Sequence, residues 1–337
     1  MNPKRLNHVE SIRALAALCV ALFHFTNIPY QNGYLVKSEK IRNFFAYGEQ
    51  GVEMFYIISG FVITYSLLRK DYVIADYFKY VLKRIIRIFP PYFLTIAGII
   101  GMGFLLNRFI WYQPYGVNEG EVLANLFFVV DLFPEYNWIN EIFVTLKVEF
   151  QFYFLIGLII PVIKTIRWRF IVFALLFLLT AYLTFGHNTV FQSAPYFLIG
   201  MICYFAFDRK WDIYLISLLS LILFILFNYY MLQDFVVAVV TISLIQILSS
   251  STIFLNYTGK ISYSLYLIHG LTGGWFLYFV SDYTFAYDHP IIIITLAILF
   301  SWFFASVMYE IVEKPTLWIS SKVKYRNSQQ KSLNSQS

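Results

Sequence analysis

About ten long apolar segments, separated by short polar stretches, constrain this chain more than any other feature of its sequence. Each is close to the length that an α-helix needs to cross a bilayer. Hydrophobic residues make up 59% of the 337 residues and charged residues only 13%, which excludes an ordinary water-soluble globule. We therefore expect an all-α membrane protein, a bundle of about ten transmembrane helices. The predicted spans are 11–30, 50–68, 88–106, 141–163, 168–186, 191–207, 211–231, 234–252, 261–281 and 290–312.

The distribution of basic residues predicts the orientation of this bundle. Most of the 25 Lys and Arg residues fall on one side if the N-terminus is placed in the cytoplasm, the bias expected when both termini are cytoplasmic. This topology accounts for the net charge of +6, so we expect a lipid bilayer and no nucleic acid as a partner. The predicted location is the cell (inner or plasma) membrane, with multiple spans. Residues 316–337 are expected to be a polar cytoplasmic tail, disordered after Lys322.

The first segment carries two polar side chains in an otherwise apolar helix, Arg13 near its start and His24 deep inside. At ~100° per residue both lie on one stripe, about 16 Å apart along the helix axis. Ala17 and Ala21 leave room beside it. Because an imidazole part-way through an apolar helix is costly, we expect His24 to be a reactive base, with Arg13 at the cytoplasmic mouth of the same groove. The alternative is a structural histidine.

An acidic residue, Glu53, lies about one turn inside the outer end of the second segment, at a depth similar to that of His24. A carboxylate at that depth is expected to hold one imidazole nitrogen of His24 and to raise its basicity. The alternative is a carboxylate that only caps the start of the helix. Gly51 and Gly60 in the same segment predict close approach of a neighbouring helix.

A basic stretch precedes the third segment, and Arg84 and Arg87 within it share a helix face. Two guanidinium groups suit phosphate recognition, since each offers a planar pair of donors. The alternative is ordinary positive-inside charge that contacts lipid headgroups. Pro90 and Pro91 are expected to end this amphipathic turn, where the third span begins.

Two further segments carry polar stripes that we expect to face the interior of the bundle. In the fourth, Thr145, Glu149 and Tyr153 recur every four residues, and an ionisable group as deep as Glu149 indicates a site. In the ninth, Tyr266 and His269 share a stripe. His269 is either a second functional histidine or a hydrogen-bonded packing residue. The scattered histidines and the absence of a Cys/His cluster predict no metal site.

Five short motifs, spread in order over nearly the whole chain, resemble those of the acyltransferase 3 family of integral-membrane O-acyltransferases. The resemblance predicts one acyltransferase 3-like transmembrane domain, residues 8–315. The motifs are Glu10-Ser11-Ile12-Arg13 with His24, Gly51-Val52-Glu53-Met54-Phe55 with Ser59-Gly60-Phe61, Arg84-Ile85-Ile86-Arg87, Val148-Glu149-Phe150-Gln151-Phe152-Tyr153, and Ser262-Tyr263-Ser264-Leu265-Tyr266-Leu267-Ile268-His269. The chain departs from the family's pattern ahead of Glu149, where Lys147 occupies a usually small position, and at Phe150, which replaces a second acidic residue.

The resemblance implies a reaction in which an acyl group, usually acetyl, passes from cytoplasmic acetyl-CoA to a hydroxyl of a carbohydrate. The acceptor would be an envelope molecule such as an O-antigen or an exopolysaccharide. By the same resemblance His24 is the essential histidine, Arg13 is its motif partner, and Arg84 with Arg87 lie on the donor side. Acetyl-CoA, or another acyl-CoA, would then be the acyl donor, with no bound cofactor.

The residue patterns and the resemblance together predict three groups of site residues. A catalytic group, in which a carboxylate orients the histidine and the histidine removes the acceptor's proton, consists of His24, Glu53 and Glu149. The acyl-CoA-binding group consists of Arg13, Arg84 and Arg87. The group that stabilises the thioester oxygen or positions substrate consists of Ser59, Tyr266 and His269. Direct attack and a transient acyl-histidine would use the same residues.

Two other classes of function fit a bundle with buried ionisable residues. One is a proton-coupled transporter or exporter of a polysaccharide or lipid-linked sugar, although no pair of matching halves broken by Gly or Pro is apparent. The other is a structural subunit of an envelope synthesis complex. Transfer of label from acetyl-CoA to a glycan distinguishes an enzyme from both.

Overall fold

The computed structural model describes residues 6–30, 33–70, 72–108, 116–164, 166–209, 211–247 and 252–326. Within these ranges the regular elements are helical, apart from one isolated bridge between Tyr30 and Gly33. The helices are α1 (Leu6–Asn27), α2 (Glu39–Ala46), α3 (Gly51–Arg69), α4 (Tyr77–Leu106), α5 (Glu119–Leu126), α6 (Ile142–Ile163), α7 (Arg167–Leu183), α8 (Ala194–Arg209), α9 (Ile213–Tyr229), α10 (Leu232–Ile247), α11 (Ile253–Lys260), α12 (Ser262–His269), α13 (Trp275–Val280), α14 (Thr284–Asp288), α15 (Pro290–Met308) and α16 (Lys314–Lys322). Two π-helical segments, Gly270–Gly274 and Tyr309–Glu313, follow α12 and α15.

Five helical stretches are long and apolar enough to cross a membrane, which confirms an all-helical membrane protein. They are His8–Asn27, Glu39–Arg69, Ile74–Leu106, Ile142–Ile163 and Pro290–Lys322. Each of the ten predicted segments overlaps a helix, but α7 and α9 have 17 residues and α8 and α10 have 16. The count of ten spans and the side of each terminus therefore stay predictions.

Small residues let α3 approach two neighbours backbone to backbone. A Cβ added to Gly60 would lie 2.2 Å from the carbonyl oxygen of Phe197 in α8. A Cβ added to Gly51 would lie 2.5 Å from the carbonyl oxygen of Ala16 in α1. The close approach predicted at Gly51 and Gly60 is confirmed, and it holds α3 between α1 and α8.

Helix α4 runs unbroken from Tyr77 to Leu106 and continues through Pro90 and Pro91. The prediction that the two prolines end a turn is therefore wrong. Proline nitrogens donate no hydrogen bond, but α4 packs against α6, α12 and α16. These contacts hold the helix together across the prolines, and they place the basic residues before the prolines on the same rod as the apolar residues after them.

The first residues of the predicted polar tail pack against α4. The Nζ of Lys83 donates a hydrogen bond of 2.7 Å to the carbonyl oxygen of Val323, and the ring of Tyr325 is buried. The prediction of disorder directly after Lys322 is wrong for residues 323–326, because this aromatic ring anchors them. Residues 327–337 of the predicted tail lie outside the described residues.

Candidate active site

Two cavities open on the stripe of α1 that carries Arg13 and His24. The arginine cavity, as we name it, has a volume of about 80 Å³. Its polar lining includes Arg13, Ser59, Arg87, Glu149, Tyr153 and Tyr266. The histidine cavity has a volume of about 350 Å³. Its lining includes His24, Tyr30, Asn140, Glu141, His269 and Tyr278.

A small apolar cluster, which we call the partition, lies where the two cavities meet. It consists of Val20, Ile142 and Tyr266. Ile142 lines the histidine cavity and Tyr266 lines the arginine cavity, while Val20 lies on the α1 stripe one turn before His24. Arg13 and His24 therefore share a stripe as predicted, but the prediction of a single groove is wrong because Val20 packs against α6 and α12 between them.

His24 lies in the last turn of α1 and forms a hydrogen bond with a second histidine. Its Nδ1 is 2.9 Å from the carbonyl oxygen of Val20 and 3.2 Å from Nε2 of His269. Within the part of the chain that the structure describes, no hydrogen bond joins His24 to Glu53 or Glu149. The expectation that one of these carboxylates orients His24 is therefore wrong for this structure, in which Nδ1 of His24 contacts a backbone carbonyl and an imidazole.

The side of α3 on which Glu53 lies explains why it does not contact His24. Gly51 faces α1, and a residue two positions later points about 200° away around the helix. Glu53 is accordingly absent from the described lining of both cavities. Asp234 of α10 is among the acidic groups that act on it, and its Oε2 is buried without a hydrogen-bond partner. The prediction that Glu53 and His24 lie at similar depths is also wrong, because Gly51 lies against Ala16, eight residues or about 12 Å from His24 along α1.

Two hydrogen bonds fix the carboxylate of Glu149, which lines the arginine cavity. Its Oε1 accepts hydrogen bonds from the hydroxyls of Ser59 and Tyr153. Thr145, one turn earlier, is 2.6 Å from the hydroxyl of Tyr266. All five side chains line the arginine cavity, which confirms that the polar stripe of α6 faces the interior of the bundle.

Of the three predicted phosphate-binding arginines, two line the arginine cavity and one lies behind its wall. Arg13 and Arg87 line the arginine cavity, and Arg13 lies 3.7 Å from the carboxylate of Glu10. The guanidinium of Arg84 instead lies over the rings of Tyr80 and Tyr153, at 5.3 and 5.1 Å from their centroids. Arg84 therefore supports a tyrosine of the cavity wall and is not part of the described lining itself.

Two acidic residues near the cavities were not predicted as site residues. Glu313 is 1% exposed, accepts a hydrogen bond of 2.8 Å from Ser264, and is close enough to Arg87 and Arg13 to act on them electrostatically. Glu141 lines the histidine cavity. The sequence signal for Glu313 is the triplet Glu313-Lys314-Pro315 directly after the last apolar segment, which resembles the ending of the family's domain, and Glu141 has only the pattern of an ordinary residue at a helix start.

Comparison with known proteins gives a result at the level of the family. One family model, described as an acyltransferase domain, matches residues 6–310 of the chain. The matched range contains every residue named above as lining a cavity, and Glu313 lies just beyond it. No curated protein and no solved structure matches the chain significantly.

Proposed function

Because the chain belongs to the acyltransferase 3 family, whose model it matches over residues 6–310, we propose that it is a membrane O-acyltransferase for cell-surface carbohydrates. It moves an acetyl or another short acyl group from acyl-CoA to a hydroxyl of a glycan or glycan precursor. The observation that carries this proposal is the placement of Arg13 and His24 in two adjoining cavities along one stripe of α1. We place the protein in the cell membrane, with the arginine cavity opening to the cytoplasm.

The arginine cavity is the proposed donor site. CoA is anionic, and the guanidinium groups of Arg13 and Arg87 supply paired donors for its phosphates. Val52, Phe55 and Ile58 line the same cavity and offer apolar contacts to the thin pantetheine arm. Arg84 acts one layer further out, since its guanidinium packs on the ring of Tyr153, which in turn hydrogen-bonds Glu149.

The histidine cavity is the proposed acceptor site. Aromatic rings and a few polar groups are the usual lining of a site for a small polar ligand. Here the rings of Tyr30, Trp275 and Tyr278 lie around the amide of Asn140 and the carboxylate of Glu141. Such groups suit a sugar, whose hydroxyls need hydrogen-bond partners and whose ring faces are apolar.

The proposed chemistry uses His24 as the general base. Its free nitrogen removes the proton of the acceptor hydroxyl while that oxygen attacks the thioester carbonyl. A tetrahedral intermediate forms, the C–S bond breaks, and the thiolate of CoA takes the proton from the imidazolium. The products are the sugar ester and free CoA thiol, and His24 returns to its neutral form.

We assign stabilisation of the thioester oxygen in the transition state to two hydroxyls that line the arginine cavity. They belong to Ser59 and Tyr266, which both line this cavity. Ser59 donates to Glu149. Thr145 donates to the carbonyl oxygen of Ile142 at 2.8 Å, so Tyr266 donates to Thr145. Each hydroxyl must therefore rotate away from its present partner to donate to the thioester oxygen.

The transfer also requires the partition to open. Val20, Ile142 and Tyr266 separate the two cavities, so the acyl group reaches His24 only when these side chains move. A closed partition keeps the thioester away from water in the histidine cavity while no acceptor is bound. Opening of the partition is therefore a step of the proposed cycle.

Label transfer from acetyl-CoA tests the proposed function. The full chain, purified into lipid nanodiscs, is incubated with acetyl-CoA labelled in the acetyl group and with surface glycan extracted from cells that lack this chain. We expect labelled glycan and one equivalent of free CoA thiol for each acetyl group transferred. Failure of the chain to release CoA or label the glycan would contradict the proposal, and sugar uptake into vesicles without transfer would favour the transporter.

A further inference from the structure

The hydrogen bonds of His269 fix which of its nitrogens carries the proton. Its Nδ1 lies 2.8 Å from the carbonyl oxygen of Tyr266 and 3.3 Å from that of Leu265. A carbonyl oxygen only accepts hydrogen bonds, so Nδ1 is the donor. The ring is 1% exposed, and burial in an apolar bundle favours its neutral form. Nε2 of His269 is therefore a hydrogen-bond acceptor.

This acceptor and a backbone carbonyl together determine the tautomer of His24. Nε2 of His269 lies 3.2 Å from Nδ1 of His24, and the carbonyl oxygen of Val20 lies 2.9 Å from the same nitrogen. Both neighbours accept, so Nδ1 of His24 carries the proton and donates to them. Nε2 of His24 is then left with its lone pair. No described residue forms a hydrogen bond with that nitrogen, and it is not among the described side-chain atoms that are buried without a hydrogen-bond partner.

We infer that His269 is a positioning residue that, together with the carbonyl oxygen of Val20, holds His24 in the tautomer with a free basic Nε2. This inference deepens the proposed function and rests on it. His269 replaces the predicted carboxylate: its Nε2 accepts a hydrogen bond from Nδ1–H of His24, and its own Nδ1–H donates to the carbonyl oxygen of Tyr266. The same bond supports the imidazolium that forms when His24 takes up the acceptor's proton.

His269 thereby takes a role in the site that differs from the predicted one. It was predicted among the residues that stabilise the thioester oxygen or position substrate. Nδ1–H of His269 donates to the carbonyl oxygen of Tyr266, and its Nε2 accepts from His24. The neutral ring therefore has no free N–H that could donate to a thioester oxygen. His269 therefore acts through His24 and does not contact the reacting atoms.

The fold gives His269 little freedom to leave this position. It is the last residue of α12, and the π-helical segment Gly270–Gly274 follows directly. Gly273 of that segment lies against Phe25 of α1, since an added Cβ would come 2.3 Å from the phenyl ring. The ring of Phe25 is 6.0 Å from that of His269. Helices α1 and α12 are thus locked beside the histidine pair.

A matched pair of substitutions tests the inference through activity. His269→Gln keeps an oxygen that can accept from Nδ1 of His24, whereas His269→Phe keeps a ring without an acceptor. For His269→Phe we expect kcat for acetyl transfer to fall about 10²-fold or more, with KM for acetyl-CoA unchanged. His269→Gln should retain transfer to within about tenfold of the wild type. Equal losses in both variants would overturn the inference.

The tautomer itself can be measured without turnover, which separates this inference from the proposed function. The full chain, labelled with ¹⁵N-histidine and embedded in bilayers, is examined by solid-state NMR, and the His24 signal is identified by its loss in His24→Gln. We expect protonated Nδ1 and bare Nε2 in the wild type, and a shift toward protonated Nε2 in His269→Phe. Protonated Nε2 in the neutral wild type would overturn the inference. A wild type with the expected tautomer but no acyl transfer would overturn the proposed function alone.

Discussion

The arginine cavity and the histidine cavity differ in volume, about 80 and 350 Å³, and in the chemistry of their linings. In the first, guanidinium groups face carboxylates: Arg13 and Arg87 lie near Glu149 and Glu313. In the second, two imidazoles are hydrogen-bonded to each other and to backbone carbonyls. This difference supports our proposal that the first cavity binds an anion and the second transfers a proton.

The partition shows how one helix serves both compartments. Arg13, Val20 and His24 recur along the same stripe of α1. In the proposed mechanism Arg13 binds the donor's phosphates, Val20 separates the cavities and His24 is the base. We propose that this apolar residue keeps water from the thioester until the acceptor arrives.

The largest effect is expected from loss of the base in the histidine cavity. His24→Gln removes the imidazole that takes the acceptor's proton, so acetyl transfer should fall by about 10³-fold or more. Binding of acetyl-CoA should stay at the wild-type Kd, because His24 is outside the described lining of the arginine cavity. Radiolabel transfer and equilibrium binding measure the two quantities, with His187→Gln, an exposed loop histidine, as the matched control. Acetyl transfer near the wild-type rate in His24→Gln would contradict the proposal that the histidine cavity supplies the base while the arginine cavity binds the donor.

The next largest effect is expected in the arginine cavity. Arg87→Ala removes a charged donor for the CoA phosphates, so KM for acetyl-CoA should rise about 10- to 100-fold, with a smaller change in kcat. Initial rates at varied acetyl-CoA measure the two constants. Arg108→Ala, at an exposed arginine near the other end of α4, is the control and should leave both unchanged. An unchanged KM in Arg87→Ala would remove the reason to place the donor in this cavity.

A smaller effect is expected from thinning the partition. Val20→Ala shortens a side chain that is 1% exposed, at a cost of about 2 kcal/mol in stability. Hydrolysis of acetyl-CoA without acceptor should rise several-fold, because water and thioester then meet. Release of free thiol in acceptor-free nanodiscs measures it. The control is Val237→Ala, the same deletion in α10 away from both cavities; if it raises hydrolysis as much, the partition is not the barrier.

The smallest effect is expected at Glu53. Glu53→Gln changes a carboxyl that is absent from the described lining of both cavities, so acetyl transfer should stay within about threefold of the wild type. Glu149→Gln, at the carboxylate that Ser59 and Tyr153 hold, should lower it more. Initial rates of the two variants decide between the carboxylates. A greater loss at Glu53 than at Glu149 would restore the role that the sequence predicted for Glu53.

The periodicity of α1 and α6 predicted much of the site. Arg13 and His24 share a stripe, and the polar stripe of α6 faces inward, because a helix fixes the relative direction of its own side chains. Relations between helices were harder to predict. Glu53 has neither the depth nor the direction predicted: Gly51 lies against Ala16 of α1, which is eight residues, about 12 Å, from His24 along that helix, and the rotation of α3 turns Glu53 away from α1.

Two other features of the structure could not be predicted from the sequence, for a similar reason. Glu313 becomes part of the site only because α15 and its π-helical extension bring it to Ser264 and the arginines. Lys147, unusual for its position in the family, is satisfied by Asp131 in the preceding loop and by the ring of Trp138 at 5.6 Å. Such pairings depend on loop paths that no local pattern specifies.

Above all, we propose that acyl-CoA enters the arginine cavity and delivers its acyl group across the partition to His24. A cryo-EM structure of the full chain with an unreactive thioether analogue of acetyl-CoA tests this central claim most directly. We predict phosphate density beside Arg13 and Arg87, a displaced Tyr266, and the acyl end within about 3.5 Å of Nε2 of His24 or of an acceptor oxygen bound to it. Nucleotide density in the histidine cavity, or an analogue that ends short of an unmoved partition, would contradict the claim.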